Sequence, residues 1–319
     1  MVAADGWRWE KKIMMRHLIF TIYIIAACAV DCNVVKDFGA ACDGTADDSQ
    51  QIQRALNECN NGRYVIFPSD RTCLSQPLTL PSRDAWLVFE PNATLKAGSK
   101  WTTGQSFISA SGATNVSITG PGTFDGSGAQ WWTGSNKTPN RPKLLELQNC
   151  THVWLEGFTI LNPAAWSTSL SGADFGIHNI SIRSPNYLIA PNTDGIDLAV
   201  DGAHISNADI KNGDDSICMK SPARNILVEN STVRQGNGLV VGTSDHADFA
   251  NITFRNCTAI GTLFGAHIKF KDAQVGHVDG VRFENIHIVD PWSYAIGINQ
   301  NGQSMMGGEA DDAAGHLLC

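Results

Sequence analysis

Short apolar segments with alternating polar residues recur along the chain from about residue 105 onward. Many of them begin with Asn, as in Asn115-Val-Ser-Ile, Asn179-Ile-Ser-Ile, Asn225-Ile-Leu-Val and Asn251-Ile-Thr-Phe. Clusters of Gly, Asn, Asp and Ser separate the segments, which is typical of turns. A recurrence every ~20–30 residues is the mark of a repeat architecture. The pattern therefore predicts short strands joined by turns, without a long amphipathic helix in this region.

The length of this period favours one kind of β-fold. A sandwich or barrel places turns every ~8–12 residues, whereas one coil of a parallel β-helix consumes about one period of the observed length. Asn residues at equivalent turns of stacked coils can form side-chain ladders. We expect an all-β fold, a single-stranded right-handed parallel β-helix. The apolar residues taken as markers of successive coils are Val153, Ile180, Ile205, Ile226, Ile252 and Val281.

One helix is predicted near the N-terminus. Residues Asp47 to Leu56 have acidic residues at their start and apolar positions at helical spacing. The first coil of a solenoid needs a cover, because an exposed sheet edge invites aggregation. This short helix is expected to supply that cap.

The two ends of the chain differ from the repeat. Residues 1–29 contain a basic stretch and an uncharged run from Leu18 to Ala27, which is typical of a signal peptide and too short to span a bilayer of ~30 Å. Met14 or Met15 are alternative starts. We expect residues 30–301 to form one domain and 302–319 to be an atypical tail. The mature protein is expected to be a secreted, extracellular or cell-wall monomer without membrane association.

Composition agrees with secretion and excludes some functions. A net charge of −8 is opposite to that of a general nucleic-acid binder. Removal of the leader leaves eight cysteines, several of which should form disulfides of undetermined pairing. These are Cys32, Cys42, Cys59, Cys73, Cys150, Cys218, Cys257 and Cys319. A glycoprotein is expected from the Asn-x-Ser/Thr sequons at Asn92, Asn115, Asn136, Asn149, Asn179, Asn230, Asn251 and Asn256.

Three acids recur at about the spacing of one coil. Asp194 lies in an Asn-Thr-Asp-Gly segment, and Asp214-Asp215 follow one coil later. Stacking would bring them to one surface strip, which also includes Asn237, His267 and Lys269. Aspartate is common in turns, but clustered carboxylates also perform glycoside hydrolysis, in which one protonates the leaving oxygen and another activates water. Mutual repulsion raises the pKa of one acid in such a cluster.

These motifs resemble those of the polygalacturonases, glycoside hydrolase family 28. The resemblance covers about residues 34–300 and includes Val35–Ala40, Asp43–Asp48, Gly120–Gly126, Pro163–Trp166, Asn192–Asp197 and Gly213–Asp215. It implies a parallel β-helix and inverting hydrolysis of α-1,4 bonds between galacturonic acids, with carboxyl groups roughly 6.5–9.5 Å apart. It assigns Asp214 as the general acid, and Asp194 and Asp215 as the groups that position and deprotonate water. Asn192 and Asn237 are expected to contact a polyanionic pectin substrate, without metal or cofactor.

Two positions depart from the family pattern. The family usually has Gly-His-Gly where this chain has Gly236-Asn237-Gly238, and Arg-Ile-Lys where this chain has His267-Ile268-Lys269. Asn237 can form hydrogen bonds but cannot titrate. Lys269 is expected to pair with a substrate carboxylate. His267 would carry charge only below a pKa of about 6.5, so substrate binding is expected to weaken above neutral pH more than in a relative that has Arg at this position.

Other functions remain open from the sequence. Asn237 favours a hydrolase of rhamnogalacturonan or substituted galacturonan as the alternative within the family. A pectate lyase shares the fold but uses Ca²⁺ and a basic residue rather than three acids. A pectin-binding protein without activity is the alternative from a different class, although all three acids are retained.

Overall fold

A computed structural model describes residues 31–59, 62–101, 104–132, 141–242, 247–270 and 276–299. The expected signal peptide and the 302–319 tail, with Cys319, lie outside the described residues. The described residues from Cys32 onward belong to one compact unit. None of the helices within the described ranges has the length and apolarity needed to cross a membrane.

The described strands form two parallel sheets. The larger sheet contains β1 (Cys32–Asn33), β3 (Tyr64–Phe67), β5 (Leu78–Thr79), β6 (Arg83–Phe89), β8 (Ile108–Ser111), β9 (Thr114–Thr119), β11 (Leu145–Glu156), β13 (Thr168–His178), β15 (Ile196–Ser206), β17 (Ile217–Met219), β18 (Ala223–Glu229), β20 (Leu239–Gly242), β21 (Ala247–Arg255), β23 (Phe264–Lys269), β24 (Gly276–Glu284) and β26 (Tyr294–Asn299). The smaller sheet contains β2 (Asp43–Asp47), β4 (Thr72–Ser75), β7 (Thr94–Ala97), β10 (Thr123–Asp125), β12 (Thr159–Leu161), β14 (Ser181–Arg183), β16 (Asp209–Lys211), β19 (Thr232–Arg234), β22 (Thr258–Ile260) and β25 (His287–Val289).

Each strand pairs with its equivalent one coil away, so the chain winds as a right-handed parallel β-helix. In the smaller sheet, β10, β12, β14 and β16 are consecutive neighbours although a strand of the larger sheet lies between each pair in sequence. The predicted fold is confirmed. Stacking at the spacing of a β-ladder, ~4.8 Å per coil, is what brings residues of different repeats together.

The register shows how the coil markers stack. Four of the markers lie in one column of paired residues. In chain order this column consists of Val153, Phe175, Ala203, Ile226, Ile252 and Val281. The other two markers, Ile180 and Ile205, also fall on successive coils but lie outside this column. Ile180 lies in the turn before β14, and Ile205 pairs in a second column two residues further along β15. Each coil contributes apolar residues to several columns. Markers chosen one per coil from the sequence can therefore belong to different columns.

The interior consists of stacked apolar side chains. Phe67 and Phe89 are parallel with ring centroids 4.3 Å apart, and Phe124 and Phe158 extend the stack through successive coils. All four are buried. Offset and edge-to-face aromatic contacts of this kind stabilise the fold beyond the effect of burial alone.

Asparagine at the turns has a conformational role. Asn179 and Asn207 have φ of 55° and 54°, in the left-handed region that Asn tolerates better than most residues. The amide of Asn207 donates to Oδ1 of Asn179 at 3.1 Å, and Asn251 donates to Asn225 at 2.9 Å. The predicted Asn ladders are therefore present, and they explain why Asn introduces so many of the repeats.

The N-terminal helix is confirmed as α1 (Ser49–Glu58), whose buried face consists of Ile52, Ala55 and Leu56. Two disulfides, Cys32–Cys59 and Cys42–Cys73, tie the helix and the first coils together.

Not all the expected cysteines are paired. Cys150, Cys218 and Cys257 are buried free thiols. The expectation that several of the eight cysteines form disulfides is confirmed for four of them, while these three lie on separate coils inside the solenoid. In such positions Cys acts as a small apolar residue.

Candidate active site

The candidate residues lie on loops and strand ends at one edge of the solenoid. The loop from β14 to β15 carries Asp194, and the next loop, from β16 to β17, carries Asp214 and Asp215. Asn237 follows β19 one coil later, and Lys269 ends β23. Since equivalent loops stack, residues far apart in sequence become neighbours. The stacking brings the predicted residues together, but Asp194, Asp215 and His267 are buried rather than part of a surface strip.

The three acids form a tight cluster. One carboxylate oxygen from each of Asp194, Asp214 and Asp215 lies within 4.8 Å of the others. Asp194 and Asp215 are buried, whereas Asp214 is partly exposed. These oxygen separations are shorter than the 6.5–9.5 Å expected between the carboxyl groups of an inverting pair. They suit one water molecule that bridges two carboxylates through hydrogen bonds of about 2.7 Å each.

Asp215 is surrounded by donors and positive charge. Its Oδ1 accepts hydrogen bonds from Nζ of Lys269 at 2.7 Å and from the amide of Asn237 at 3.0 Å. Nζ of Lys220 lies 3.4 Å from Oδ2. Burial would favour the neutral acid, but the two lysines and the hydrogen bonds outweigh it and hold the pKa of Asp215 well below its usual value. Asp215 is therefore ionised.

The pKa of Asp214 is shifted in the opposite direction. Burial and the charge of Asp215 raise the pKa of Asp214, against the opposing effect of Lys269. Oδ1 accepts from the backbone N–H of Asp215 at 2.8 Å and from Asn237 at 2.9 Å, and Oδ2 accepts from Asn192 at 3.3 Å. Its partial exposure and raised pKa suit a carboxylic acid that delivers a proton.

Asp194 also tends to retain a proton. Burial, followed by repulsion from the neighbouring Asp197, Asp214 and Asp215, raises the pKa of Asp194 well above its usual value. Nζ of Lys220 is 3.8 Å away, and Oδ1 has no hydrogen-bond partner among the described residues. A protonated Asp194 can orient water but cannot deprotonate it, so the base role expected of both Asp194 and Asp215 is supported only for Asp215.

Sequence reasoning did not identify Asp197 or Lys220. Nζ of Lys220 lies 3.4–3.8 Å from carboxylate oxygens of Asp194, Asp197 and Asp215, and 5.3 Å from the ring centre of Trp166. Burial raises the pKa of Asp197 to about 7 despite the opposing charge of Lys220. The available sequence signal was Asp197 itself, three residues after Asp194. The role of Lys220 becomes visible only in the register of β15 and β17.

Arg141 was also missed. Its guanidinium donates to the carbonyls of Ala164 at 2.9 Å and Pro191 at 2.7 Å, and to Oδ1 of Asn192 at 3.3 Å. The last contact turns the NH₂ group of Asn192 towards Asp214. Since Arg141 and Asn192 lie far apart in sequence, local motifs could not link them. Asn192 is thus fixed against the candidate acid rather than free for substrate alone.

Backbone geometry fixes Asn237. Gly238 has φ of +94°, and a Cβ there would lie 1.9 Å from the carbonyl oxygen of Phe264. Only glycine fits such a conformation and approach. The resulting turn aims the Asn237 amide at both Asp214 and Asp215, and its expected contact with substrate stays a prediction.

The expected charge on His267 is absent near neutral pH. His267 is only 6% exposed and packs against Phe264, with ring centroids 4.0 Å apart. Burial, with the charge of Lys269 adding to it, lowers the pKa of His267 to about 4. The expectation that its titration weakens substrate binding above neutral pH is therefore wrong. Its Nε2 lies 3.2 Å from Oδ1 of Asn299, and it acts as a neutral packing residue.

The same three acids could offer one oxygen each to a cation. Two partly buried lysines, Lys220 and Lys269, already supply positive charge to this cluster, and a hard cation such as Ca²⁺ requires about six to eight oxygen ligands. The donor set therefore fits proton transfer better than metal binding. The other acid-containing group, Cys42, Asp48 and Cys73, has both sulfurs in a disulfide.

A parallel β-helix with an acid cluster of this kind defines a class of polysaccharide-cleaving enzymes, and comparisons with known proteins agree. The family described as glycosyl hydrolases family 28 matches residues 64–311. The chain belongs to this family and is a glycosidase of the polygalacturonase type.

Individual relatives are similar over most of the chain. An endo-polygalacturonase of Pectobacterium carotovorum subsp. carotovorum is 30% identical over 86% of this chain and 79% of its own length. The "Probable exopolygalacturonase C" of Aspergillus fumigatus is 30% identical, over 79% of this chain and 62% of its own length.

Solved structures agree on the fold. A polygalacturonase from Erwinia carotovora ssp. carotovora superposes with a TM-score of 0.72 at 26% identity, covering 84% of this chain and 81% of that one. An endo-xylogalacturonan hydrolase from Aspergillus tubingensis has a TM-score of 0.76 at 24% identity, covering 89% and 79%. The latter likeness concerns the fold alone.

Proposed function

We propose that this protein is a secreted pectin hydrolase that cleaves α-1,4-galacturonosidic bonds with inversion at the anomeric carbon. Family membership supports pectin degradation. The observation that carries the assignment is that the pKa values of two adjacent acids are shifted in opposite directions. Asp215 is held ionised by Lys269 and Lys220, while Asp214, beside it, tends to hold a proton.

The proposed reaction divides the work among these acids. Asp214 gives its proton to the glycosidic oxygen as the bond to the anomeric carbon breaks. Asp215 takes a proton from water as the water oxygen bonds to that carbon, and Asp194 orients this water. An α-linked substrate then yields a new reducing end in the β-configuration. Exchange of one proton with solvent restores the resting acids.

The test is release of reducing ends from polygalacturonate. We expect Asp214→Asn and Asp215→Asn to lower kcat by about 10³-fold or more, as loss of an acid or base in a coupled site does. Asp279→Asn is the matched control, since Asp279 is an exposed acid in β24. Full activity of Asp214→Asn would contradict the assignment. NMR of the first product would contradict inversion if the α-anomer formed.

The alternative substrate is rhamnogalacturonan or a substituted galacturonan. Asn237, which replaces the usual family His, is the observation in its favour. Parallel assays on polygalacturonate, rhamnogalacturonan and substituted galacturonan distinguish these substrates. Binding without product would favour a binding protein without activity, and an ultraviolet-absorbing unsaturated product would indicate a lyase.

Secretion is proposed from the apolar run between Leu18 and Ala27 and is consistent with the two disulfides. Expression of the full chain in a eukaryotic host should give an extracellular product whose N-terminus lies near residue 30. Retention of residues 1–29 in that product would contradict the proposal. The mature protein is proposed to act as a monomer, for which light scattering is the test.

A further inference from the structure

Trp166 ends the Pro163–Trp166 segment, to which the reaction of the three acids assigns no role. Two ammonium groups lie against its indole ring. Nζ of Lys143 is 4.8 Å from the ring centre, and Nζ of Lys220 is 5.3 Å from it. A cation within about 6 Å of an aromatic ring centre is attracted to the face of the ring. Trp166 is therefore linked to the acid cluster through Lys220.

The backbone around Trp166 is fixed by the coils on either side. Its carbonyl accepts a hydrogen bond from the backbone N–H of Leu144 at 3.0 Å. The next N–H, that of Ser167, donates to the carbonyl of Asp194 at 2.7 Å. The partly buried side chain of Trp166 thus starts from a position set by the loop that carries one of the acids.

Lys143 is already compensated by an acid of its own. Its Nζ donates to Oε1 of Glu146 at 2.5 Å and to Oγ of Ser169 at 3.2 Å. Burial would favour a neutral Glu146, but the hydrogen bonds from Lys143 and Ser106 outweigh it and lower the pKa of Glu146. Glu146 is therefore ionised and balances the charge of Lys143 beside Trp166.

Lys220, by contrast, is shared among several acids. Its Nζ lies 3.4 Å from Oδ2 of Asp215, 3.6 Å from Oδ2 of Asp197 and 3.8 Å from Oδ2 of Asp194. A hydrogen bond from an ammonium group to a carboxylate is typically about 2.7–2.9 Å long, which is the distance between Lys269 and Asp215. Lys220 is therefore not drawn onto one carboxylate, and its charge acts on all three.

The ionisation of Asp197 reports the position of Lys220. Neither carboxylate oxygen of Asp197 has a hydrogen-bond partner among the described residues. Burial raises the pKa of Asp197 to about 7, and the charge of Lys220 is the largest influence that opposes this rise. Cys218, its register partner in β17, is a thiol whose pKa is raised by burial, so it stays neutral. The remaining charges that act on Asp197 are those of Asp215, Asp214 and Lys269.

We propose that Trp166 is a positioning residue for the reaction, whose ring holds the ammonium group of Lys220 among three acids and away from any one of them. The inference rests on the proposed pectin hydrolase activity. Asp215 already pairs closely with Lys269. A second ammonium group drawn fully onto Asp215 would weaken it further as a base and would withdraw positive charge from Asp197.

The test removes the aromatic face and follows the aspartates by NMR. Protein with ¹³C-labelled aspartate carboxyl groups reports titration midpoints without turnover, and Asp197→Asn assigns the signal of that residue. Trp166→Leu should raise the midpoint of Asp197, near 7 in the parent, by about one pH unit as Lys220 moves towards Asp215. Trp166→Phe keeps an aromatic face and should retain the parental midpoint. An unchanged midpoint in Trp166→Leu would overturn the proposal.

Kinetics on polygalacturonate separate this role from a contact with the sugar. Trp166→Leu should lower kcat by about 10-fold and leave KM unchanged, because the ring acts on the charge of the base rather than on substrate binding. A raised KM with an unchanged midpoint of Asp197 would overturn the proposal. Trp86→Leu is the matched control, since Trp86 lies in β6 and packs against Tyr64. A similar shift of the Asp197 midpoint in this control would also contradict the role of Trp166.

A double variant shows whether Trp166 acts through Lys220. In a Lys220→Met background, Trp166→Leu should cause no further shift of the Asp197 midpoint, whereas additive shifts would overturn the proposal. Thermal unfolding verifies the fold of each variant, and if Lys220→Met does not fold, the titration of Trp166→Leu decides alone.

The titration also separates this inference from the activity on which it rests. A shifted midpoint in Trp166→Leu, with no cleavage of polygalacturonate by the parent, supports the placement of Lys220 and refutes only the hydrolase assignment. Cleavage by the parent, with superimposable titration curves for parent and Trp166→Leu, overturns the role of Trp166 and leaves the hydrolase assignment intact.

Discussion

Nζ of Lys269 lies 2.7 Å from Oδ1 of Asp215, so the lysine expected to meet a substrate carboxylate already pairs with the proposed catalytic base. The two residues belong to coils two steps apart and are both largely buried. A buried ion pair of this geometry is sensitive to loss of one partner, because the other charge is left uncompensated. Lys269 therefore acts first on the ionisation of Asp215.

Lys269→Met should raise the pKa of Asp215 and lower kcat/KM by about 10²-fold. In the parent, Asp215 has a lowered pKa and is active as a base above it, so activity is lost only as the pH falls through that value. Without the ammonium group, the acidic limb of the kcat/KM profile should move to higher pH. Lys211→Met, in the neighbouring strand β16, is the control. An unmoved acidic limb would contradict the role of Lys269.

Asp197→Asn should remove a pH-dependent loss of stability. The pKa of Asp197 is about 7 in the folded protein against an ordinary value of 3.8, so the folded state holds an extra proton between these values. The free energy of unfolding of the parent therefore falls as pH rises through this window. Relative to the parent, the variant should gain on the order of 3 kcal/mol between pH 4 and 7.

Chemical denaturation at several pH values tests this expectation, with Asp279→Asn as the exposed control. A constant difference in unfolding free energy across the window would contradict it.

Coil spacing was enough to predict the fold and part of the site. Asp194, Asp214, Asp215 and Asn237 lie on stacked loops, so equal steps along the sequence correspond to neighbours in space. Lys220 and Arg141 were not predictable in this way. Their importance depends on side-chain direction and on long-range pairing, which a residue type at a given position does not reveal. Burial also changes what His267 does. Its sequence position suggests a solvent-facing side chain that titrates near pH 6.5, whereas the ring is buried and its pKa is lowered.

His267 should remain neutral across the physiological pH range. Its pKa of about 4 lies below the ordinary 6.5, so the folded state binds fewer protons than the unfolded state between these values. Its contribution to stability is therefore present above pH 6.5 and is lost as the pH falls towards 4. His267→Gln should lessen this acid-induced loss. NMR titration of the ring signals should show no protonation between pH 5.5 and 8, and a midpoint near 6.5 would refute the burial argument.

The two disulfides should account for much of the stability of the N-terminal coils. They join residues 27 and 31 positions apart, for which chain-entropy estimates give about 3–4 kcal/mol each. Alkylation and mass spectrometry of the native protein should leave Cys32, Cys42, Cys59 and Cys73 unmodified. Denaturation before alkylation should expose Cys150, Cys218 and Cys257 as thiols. Modification of Cys42 or Cys73 under non-reducing conditions would contradict the pairing.

Asn237 tests how the site works without the usual histidine. Its amide donates to both Asp214 and Asp215, which stabilises their ionised forms. Asn237→Ala should therefore raise the pKa of both acids and lower kcat by about 10-fold or more, in line with hydrogen bonds to charged groups. Asn237→His should add a titrating group, so that its kcat/KM profile gains a transition that the parent lacks. If the kcat/KM profiles of the parent and Asn237→His against pH are superimposable, the side chain at position 237 has no electrostatic interaction with the acid pair.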